Sequence, residues 1–284
     1  MRITVNDRER EVADGASLGG LLAELGLDHR AVVVERNGEV VPRDAAPDTP
    51  LAEGDRLIVV KAVAGGAEPP GGGEHARRER LEAARLYVVT DARRDRGDLE
   101  TFLGRVCDGG ADLVQLREKD ATDDQLRRHA AVFRRVCDAT GTLFVLNDRP
   151  DLAIEVGADG AHVGQDDLDP AKARELVGDD LLLGLSTHGP GQLDAALEAP
   201  VDHVGVGPVH ATPTKPGRPG IGLELVRYAA AHATLPWFVT GGMNERTVPE
   251  VVAAGARAVV VVRAVTEADD PGVAVRRLRD LLPS

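Results

Sequence analysis

The densest group of chemically active side chains lies between Gly207 and Gly217, in the run GPVHATPTKPG. It follows the short apolar run Val204–Val206 and is therefore predicted to be a loop at the end of a buried strand. Two threonine hydroxyls and one lysine lie between its glycines. Backbone N–H groups, hydroxyls and an ammonium group in such a loop can bind a phosphorylated ligand.

Polar side chains also follow other apolar runs in the C-terminal part of the chain. Alternation after the second run points Gln115, Arg117 and Lys119 to one side, and two cations with an amide predict an anionic ligand. Asp148 and Asp167 follow the third and fourth runs. Carboxylates at neighbouring strand ends suit Mg²⁺, which completes its coordination with water and phosphate oxygens. These residues predict a bound pyrophosphate and a magnesium ion.

Further polar or glycine-rich residues follow the third, fifth and seventh runs, namely Asn147, Ser186–His188 and Gly241-Gly242. The diglycine follows the seventh run, where many barrels bind a phosphate. No serine, cysteine or histidine arrangement predicts a covalent intermediate. His188 and His210 are candidates for acid–base groups or for hydrogen-bonding loop residues, and His162 is predicted to line the barrel. The residues therefore predict that pyrophosphate departs from a carbon atom, which a second, phosphorylated substrate then captures.

Eight short apolar runs predict the strands that position these residues. The runs are Leu86–Thr90, Asp112–Gln115, Leu143–Leu146, Gly160–Val163, Leu181–Leu185, His203–Val206, Trp237–Val239 and Ala258–Val262. Helical patterns such as Asp123–Ala139, Leu223–Ala233 and Glu245–Ala254 separate the runs. This alternation predicts an α/β fold, a (β/α)₈ TIM barrel, with a doubly wound open sheet as the alternative. In a barrel the strand ends share one face, so the polar residues are expected to form one site.

Charge and composition narrow the classes of partner. The chain has 284 residues and a net charge of −13. No segment has a basic excess, which argues against a nucleic acid or an anionic membrane as partner. Cys107 and Cys137 lack metal-binding spacing and are interpreted as reduced, packed thiols. With no signal peptide or long apolar run, a soluble cytoplasmic protein is expected. The oligomeric state stays open, a homo-oligomer included.

The composition changes at the run AEPPGGG, which marks a domain boundary. The predicted parts are a small α+β domain at 1–66, a flexible linker at 67–82 that becomes helical near its end, and the barrel at 83–284. In the small domain Leu18–Leu25 is predicted to be a helix with Ser17 as its N-cap. Its predicted strands are Ile3–Val5, Arg10–Val12, Ala31–Glu35, Val40-Val41 and Leu57–Val60.

Four motifs of the barrel segment, QLREKD, NDRPDLA, HVGQDDL and GVGPVHATPTK, together resemble the thiamine phosphate synthase family. The resemblance covers residues 84–284. It implies coupling of 4-amino-2-methyl-5-hydroxymethylpyrimidine diphosphate with thiazole ethyl phosphate, or its carboxylated form, to give thiamine monophosphate and pyrophosphate. It also implies a dissociative, Mg²⁺-assisted substitution that depends on positioning and electrostatics rather than on a nucleophile.

The resemblance assigns roles by position. The pyrimidine diphosphate site would comprise Gln115, Arg117, Lys119, Asn147, Ser186 and Lys215. The magnesium ligands would be Asp148 and Asp167, and the thiazole phosphate would bind at Thr212, Pro213, Thr214 and Gly242. The residues expected to be catalytic are Arg117, Lys119, Ser186 and Lys215.

One position departs from the family pattern. The family usually ends its eighth strand with a Val-Ser pair that binds the thiazole phosphate, whereas this chain has Val262-Arg263. The Arg263 guanidinium either adds charge to the phosphate site or points away while the backbone N–H binds. Two other functions stay open, a thiazole tautomerase-like barrel and a non-catalytic scaffold. The retained cations and carboxylates favour the synthase, because a tautomerase has no leaving pyrophosphate to bind.

The small domain is similar to the thiamine sulfur carrier, a β-grasp (ubiquitin-like) protein. The similarity lies in Met1–Asn6, Ala31–Arg43, Gly54–Val60 and Gly65-Gly66. In that family the terminal diglycine is adenylated and converted to a thiocarboxylate that supplies sulfur to the thiazole. This implies a sulfur-carrier adenylyltransferase and a thiazole synthase as partners. Here Ala67 follows Gly66, so cleavage after Gly66, a docking module and a non-functional remnant all stay open.

Overall fold

The structure is a computed structural model that describes residues 1–5, 8–13, 15–25, 32–37, 39–41, 49–61, 74–211 and 220–283. The chain divides into two compact units, Met1–Gly66 and Ala67–Ser284. Each unit has its own hydrophobic core, and the two are described in turn.

The first unit is a five-stranded mixed sheet with one helix in its described part. Its elements are β1 (Arg2–Val5), β2 (Arg8–Glu11), α1 (Leu18–Glu24), β3 (Val32–Arg36), β4 (Glu39–Val41) and β5 (Arg56–Lys61). The sheet order is β2-β1-β5-β3-β4, with β1 and β5 parallel and the other pairs antiparallel. Ser17 is the N-cap of α1, because its Oγ accepts a hydrogen bond from Gly20 N at 3.2 Å. The predicted β-grasp domain is confirmed.

The second unit is a closed barrel of eight parallel strands. They are β6 (Leu86–Thr90), β7 (Leu113–Leu116), β8 (Leu143–Asn147), β9 (Gly160–Val163), β10 (Leu182–Thr187), β11 (His203–Val206), β12 (Trp237–Val239) and β13 (Val259–Val261). Parallel pairing of β13 with β6, with Val259 opposite Leu86, closes the sheet. Each predicted apolar run overlaps its strand, and the TIM barrel is confirmed in place of an open sheet.

Helices pack around the barrel strands and over one end of the barrel. They are α2 (Glu74–Ala83), α3 (Leu99–Asp108), α4 (Asp123–Thr140), α5 (Pro150–Ala153), α6 (Pro170–Val177), α7 (Pro190–Leu197), α8 (Glu224–His232), α9 (Val248–Ala253), α10 (Arg263–Thr266) and α11 (Pro271–Arg279). A capping box between Thr122 and Gln125 begins α4, and Gly141, with φ +73°, ends it. Cys107 and Cys137 are buried free thiols. Among the described helices, none combines the length and apolar character needed to cross a bilayer.

Three aspartates organise the N-terminal end of the barrel, each accepting a backbone N–H from the neighbouring strand. The bonds run from Leu86 N to Asp112 (3.0 Å), from Phe144 N to Asp159 (2.8 Å) and from Leu183 N to Asp202 (2.7 Å). Arg77 and Arg78 of α2 pair with Asp159 and Asp202 at 3.2 and 2.9 Å. Leu81 of α2 is buried against the same end. Helix α2 therefore covers the end opposite to the one where the polar strand ends gather.

Candidate active site

A cavity of about 380 Å³ lies at the C-terminal ends of the barrel strands. This volume is in the range of small-molecule sites, about 300–1,000 Å³. Seven residues predicted to bind substrate line it, namely Gln115, Arg117, Asn147, Ser186, Gly242, Val262 and Arg263, and His162, His188 and Gly241 line it as well. The closed barrel thus brings together residues from five separate strand ends, as the fold requires of polar groups that follow parallel strands.

One part of the wall is built around Gln115 on β7. The buried Gln115 donates through Nε2 to the hydroxyl oxygen of Tyr87 at 2.6 Å. Burial raises the pKa of Tyr87, so the phenol keeps its proton. The Gln115 amide is therefore held in one orientation, facing the cavity.

Ser186 on β10 is held from two directions. Its Oγ lies 2.9 Å from His162 Nε2, and its carbonyl oxygen accepts from Gln165 Nε2 at 2.7 Å. The His162 ring fits because Gly184 has no side chain, since a Cβ there would meet the imidazoles of His162 and His203. His162 thus orients the Ser186 hydroxyl, and Gln165 holds the backbone of the same residue.

The predicted metal ligands are in contact with each other. Asp148 follows β8 with a left-handed φ of +61°, and its N–H donates to the His162 carbonyl at 2.8 Å. Burial and the adjacent Asp167 carboxyl raise the pKa of Asp148 to about 6, while Lys119 and Arg117 oppose the rise. Two carboxyls in contact beside two cations form a compact, charged corner next to the cavity.

This corner fits a magnesium ion. The part of the chain that the structure describes holds no group of three or more His, Cys, Asp or Glu side chains suited to a metal. Magnesium needs only one or two protein carboxylates when water and substrate phosphates complete its octahedron. A dication between Asp148 and Asp167 would offset both causes that raise the pKa of Asp148, its burial and the adjacent Asp167 carboxyl.

A glycine loop after β12 forms another part of the wall. Gly241 and Gly242 have φ values of +102° and +74°, and a Cβ on Gly241 would lie 2.5 Å from Pro208 Cα. Only glycine fits such a close backbone approach. The Gly242 carbonyl accepts from Asn244 Nδ2 and from Thr247 Oγ1, each at 2.8 Å. These bonds stabilise a loop whose backbone faces the cavity.

Some sequence-derived candidates lie elsewhere. Lys119, Asp148 and Asp167 lie beside the cavity and do not line it. The residues Thr212, Pro213, Thr214, Lys215, Gly65 and Gly66 lie outside the described residues, and their roles stay predictions.

The cavity wall also includes residues to which the sequence assigned no role, among them Tyr87, Thr240, Met243, Asn244 and Glu267. The sequence feature that could have identified Tyr87 is the alternation of side chains along β6. This alternation turns Tyr87 and Val89 to the same side, and both line the cavity.

Comparisons with known proteins find similarity in both parts of the chain. A family model described as thiamine monophosphate synthase matches residues 86–265, and one described as the ThiS family matches residues 2–66. The chain is 52% identical over 207 residues to a thiamine-phosphate synthase of Thermobifida fusca, covering 71% of this chain and 94% of the relative. It is 48% identical over 214 residues to a thiamine-phosphate synthase of a Mycobacterium species, covering 72% and 95%. A solved thiamine phosphate pyrophosphorylase from Pyrococcus furiosus aligns with a TM-score of 0.64 and 28% identity, covering 72% and 96%.

Proposed function

The chain belongs to the thiamine monophosphate synthase family, and we propose how its cavity makes thiamine monophosphate. The proposed substrates are 4-amino-2-methyl-5-hydroxymethylpyrimidine diphosphate and thiazole ethyl phosphate, in its aromatic or carboxylated form. One observation carries the proposal: Gln115, Arg117, Asn147 and Ser186 line a single cavity beside the Asp148–Asp167 corner.

The pyrimidine diphosphate is proposed to bind along β7, β8 and β10. Gln115, Asn147 and Ser186 offer amide and hydroxyl groups that match the exocyclic amine and ring nitrogens of a pyrimidine. Arg117, with a planar fork of donors, and Lys119, a point charge, follow on the same loop and suit a diphosphate. Orientation of Gln115 by Tyr87 and of Ser186 by His162 supports this assignment.

Asp148 and Asp167 are the proposed ligands of magnesium. When bound, the ion would neutralise negative charge on the departing pyrophosphate. The Gly164 N–H donates to Asp167 Oδ2 at 2.7 Å and holds that carboxylate, and the left-handed φ of Asp148 sets the backbone from which the second carboxyl extends. The protein thus contributes a prepared pair of acceptors beside Arg117 and Lys119.

The second substrate is proposed to bind at the glycine loop and at the end of β13. Gly242, Val262 and Arg263 line the cavity there, and Thr212–Thr214 and Lys215 are proposed to complete the site. The backbone N–H groups of a glycine loop suit a phosphate group. This arrangement would place the thiazole nitrogen towards the pyrimidine carbon that loses pyrophosphate.

The proposed reaction is a dissociative substitution. Pyrophosphate leaves first, the pyrimidine stabilises the resulting carbocation, and the thiazole nitrogen forms the new carbon–nitrogen bond. The described residues around the cavity supply cations, hydrogen-bond donors and shape, and this suits catalysis by leaving-group stabilisation and positioning.

A coupled assay of pyrophosphate release tests the proposal. We expect release by the full-length protein only when both substrates and Mg²⁺ are present. A barrel that acts as a thiazole tautomerase would isomerise the carboxylated thiazole without the pyrimidine substrate, and a scaffold would do neither. Either result with folded protein would overturn the synthase proposal.

The first unit is proposed to be a sulfur carrier that is released by hydrolysis of the peptide bond after Gly66. Support comes from its β-grasp sheet order and from the ThiS family match, which ends at Gly66. A terminal Gly66 carboxylate would then be a substrate for an adenylyltransferase, and its thiocarboxylate would serve a thiazole synthase. Intact-mass measurement of protein from its native host tests this: a fragment ending at Gly66 is expected. Full-length protein alone would leave the docking-module and remnant interpretations.

A further inference from the structure

The loop between β6 and α3 contains a buried arginine in an unusual conformation. Arg93 is only 7% exposed, and its φ of +49° lies in the left-handed region that residues other than glycine seldom adopt. Residues held in such a conformation occur mainly where the surrounding structure requires them, often beside functional sites. The contacts of the guanidinium group indicate what the requirement is.

Most donors of Arg93 are used within its own loop and helix. Nε and Nη2 donate to the two carboxylate oxygens of Asp98 at 2.6 and 2.8 Å. The guanidinium carbon lies 3.9 Å above the Phe102 ring centroid, and the Arg93 N–H donates to Asp91 Oδ1 at 2.9 Å. Bidentate pairing and stacking fix the plane of the group. The guanidinium is therefore a rigid extension of the loop.

The remaining contact leaves the loop and reaches α10. Arg93 Nη1 donates to the Thr266 carbonyl at 3.1 Å, and Arg96 Nη1 donates to the same oxygen at 3.0 Å. Thr266 is the last residue of α10, where helix carbonyls lack partners within the helix. Two arginines from the β6–α3 loop thus cap this short helix.

Helix α10 carries one wall of the cavity. Val262, Arg263, Ala264 and Glu267 all line the cavity, and α10 begins at Arg263. A helix of four residues has too few internal hydrogen bonds to hold its own position, so its neighbours must hold it. Of the contacts to its final carbonyl, the one from Arg93 is the buried and rigid one.

We propose that Arg93 is a positioning residue for the thiazole phosphate: by capping α10 at Thr266, it holds Val262 and Arg263 where the phosphate binds. The inference rests on the proposed function, which places the thiazole phosphate at this wall. Arg93 itself does not line the cavity, so it acts through α10 and not by contact with substrate.

A second contact of the same loop provides a matched comparison. Glu118, whose side chain is 11% exposed, accepts from Ala92 N at 3.1 Å and from Arg94 Nη2 at 3.1 Å. It immediately follows Arg117 on the pyrimidine diphosphate side of the cavity. The loop therefore touches both substrate walls, through Arg93 on one side and through Glu118 on the other.

The test compares Arg93→Gln with Glu118→Gln in the full-length protein at saturating Mg²⁺. We expect Arg93→Gln to raise KM for thiazole ethyl phosphate about tenfold, the effect of one charge-assisted hydrogen bond, with KM for the pyrimidine diphosphate unchanged. Glu118→Gln is expected to raise KM for the pyrimidine diphosphate and to leave KM for thiazole ethyl phosphate unchanged. Arg96→Gln removes the exposed second donor to Thr266 and is expected to give a smaller change in the direction of Arg93→Gln.

A merely structural role for Arg93 would give a different pattern. Equal rises in both KM values, or a lower kcat with both KM values unchanged, would overturn the inference. If Arg93→Gln does not fold, Asp98→Asn provides the same comparison of the two KM values. This variant keeps the Arg93 guanidinium but removes the carboxylate that orients it. A wild-type protein that makes no thiamine monophosphate would overturn the proposed function, and the inference with it. An active wild type with equal KM changes overturns the inference alone.

Discussion

At the scale of single residues, the contact between the Asp148 and Asp167 carboxyls says most about what the site binds. The partly buried Asp148 carboxyl touches the exposed Asp167 carboxyl, and its burial together with this acidic neighbour raises the pKa of Asp148. Asp148 also adopts a left-handed φ. Both features oppose stability, so they make sense when the carboxyls serve a ligand and not the fold.

Asp148→Asn tests this interpretation. Asparagine tolerates a left-handed φ and has nearly the same shape, so the barrel should keep its fold. Loss of one carboxylate should lower kcat by about two to three orders of magnitude, a barrier increase of about 3–4 kcal/mol. The melting temperature without Mg²⁺ should be equal to or above that of the wild type, because a like-charge contact is removed. A kcat near the wild-type value at any Mg²⁺ concentration would remove Asp148 from the mechanism.

His203 provides a prediction about pH. Its ring is buried beside Tyr87 and Phe238, and in the described residues neither ring nitrogen has a hydrogen-bond partner. Burial lowers the pKa of His203 from 6.5 to about 4, with Asp202 opposing the shift. Below pH 6.5 the unfolded chain therefore binds a proton that the folded chain does not, so the free energy of unfolding falls as the pH falls. His203 accounts for about 2 kcal/mol of loss between pH 7.5 and pH 5.

Comparison of the wild type with His203→Leu isolates this effect. Trp237, the only tryptophan, lies in β12, so its fluorescence reports urea unfolding of the barrel. The variant should lose about 2 kcal/mol less than the wild type between the two pH values. Parallel losses in the two proteins would mean that His203 does not titrate as its burial implies.

At this scale, the sequence predicted the residues that follow strands better than it predicted those that support them. Gln115 and Ser186 were identifiable because a polar residue at the end of an apolar run stands out. Tyr87 and His162 support them from positions 28 and 24 residues away, and spacing alone does not reveal such a contact. The loop at 212–219 lies outside the described residues, so its motif stays a prediction.

At the scale of elements, the aspartates at the N-terminal end hold strands and α2 together. Asp159 accepts from Phe144 N, from Arg134 Nη1 at 2.9 Å and from Arg77 Nε at 3.2 Å. One carboxylate thereby joins β8, α4 and α2. This end of the barrel provides stability, whereas the opposite end provides chemistry.

Asp159→Ala should therefore be strongly destabilising. The substitution leaves Arg77 and Arg134 without their shared carboxylate, and breaking a buried pair costs about 3–5 kcal/mol. The matched control is Asp138→Ala, because the more exposed Asp138 also pairs with Arg134, at 2.8 Å. The control should cost less than about 1 kcal/mol. Trp237 fluorescence in urea measures both, and equal losses would refute the central role given to Asp159.

The sequence predicted the positions of the helices and strands of the barrel well, but it predicted their first and last residues less accurately. Short apolar runs bounded by helical patterns identified all eight barrel strands. The predicted helix Glu245–Ala254 begins only at Val248, because local side-chain bonds occupy the preceding backbone. Asn244 Oδ1 accepts from Arg246 N at 2.9 Å, and Thr247 Oγ1 accepts from Asn244 N at 3.0 Å. Such bonds compete with the helix, and a hydrophobic period does not reveal them.

At the scale of the whole molecule, the chain joins two units with separate cores. The relative from Thermobifida fusca matches 71% of this chain with 94% of its own length, so nearly all of that enzyme corresponds to part of this one. Helix α2 belongs to the second unit, and its pairs with Asp159 and Asp202 lie within that unit. The barrel therefore contains all the contacts described for the site.

A chain of Ala67–Ser284 is predicted to keep the synthase activity. Its kcat should lie within about twofold of the full-length value, since the second unit has its own core. A chain that begins at Leu86 lacks α2, exposes the surface that Leu81 covers and should unfold at lower urea concentration. Loss of activity in folded Ala67–Ser284 would show that the first unit takes part in the reaction.

The decisive measurement for the proposed synthase activity is the quantity of product made by the full-length protein. Thiamine monophosphate and pyrophosphate should be measured by mass spectrometry after incubation with both substrates and Mg²⁺, with Asp148→Asn as the blank. We expect equal amounts of the two products, formed only when both substrates are present, and almost none from the variant. Pyrophosphate without thiamine monophosphate, or equal yields from the wild type and the variant, would refute the proposed synthase mechanism.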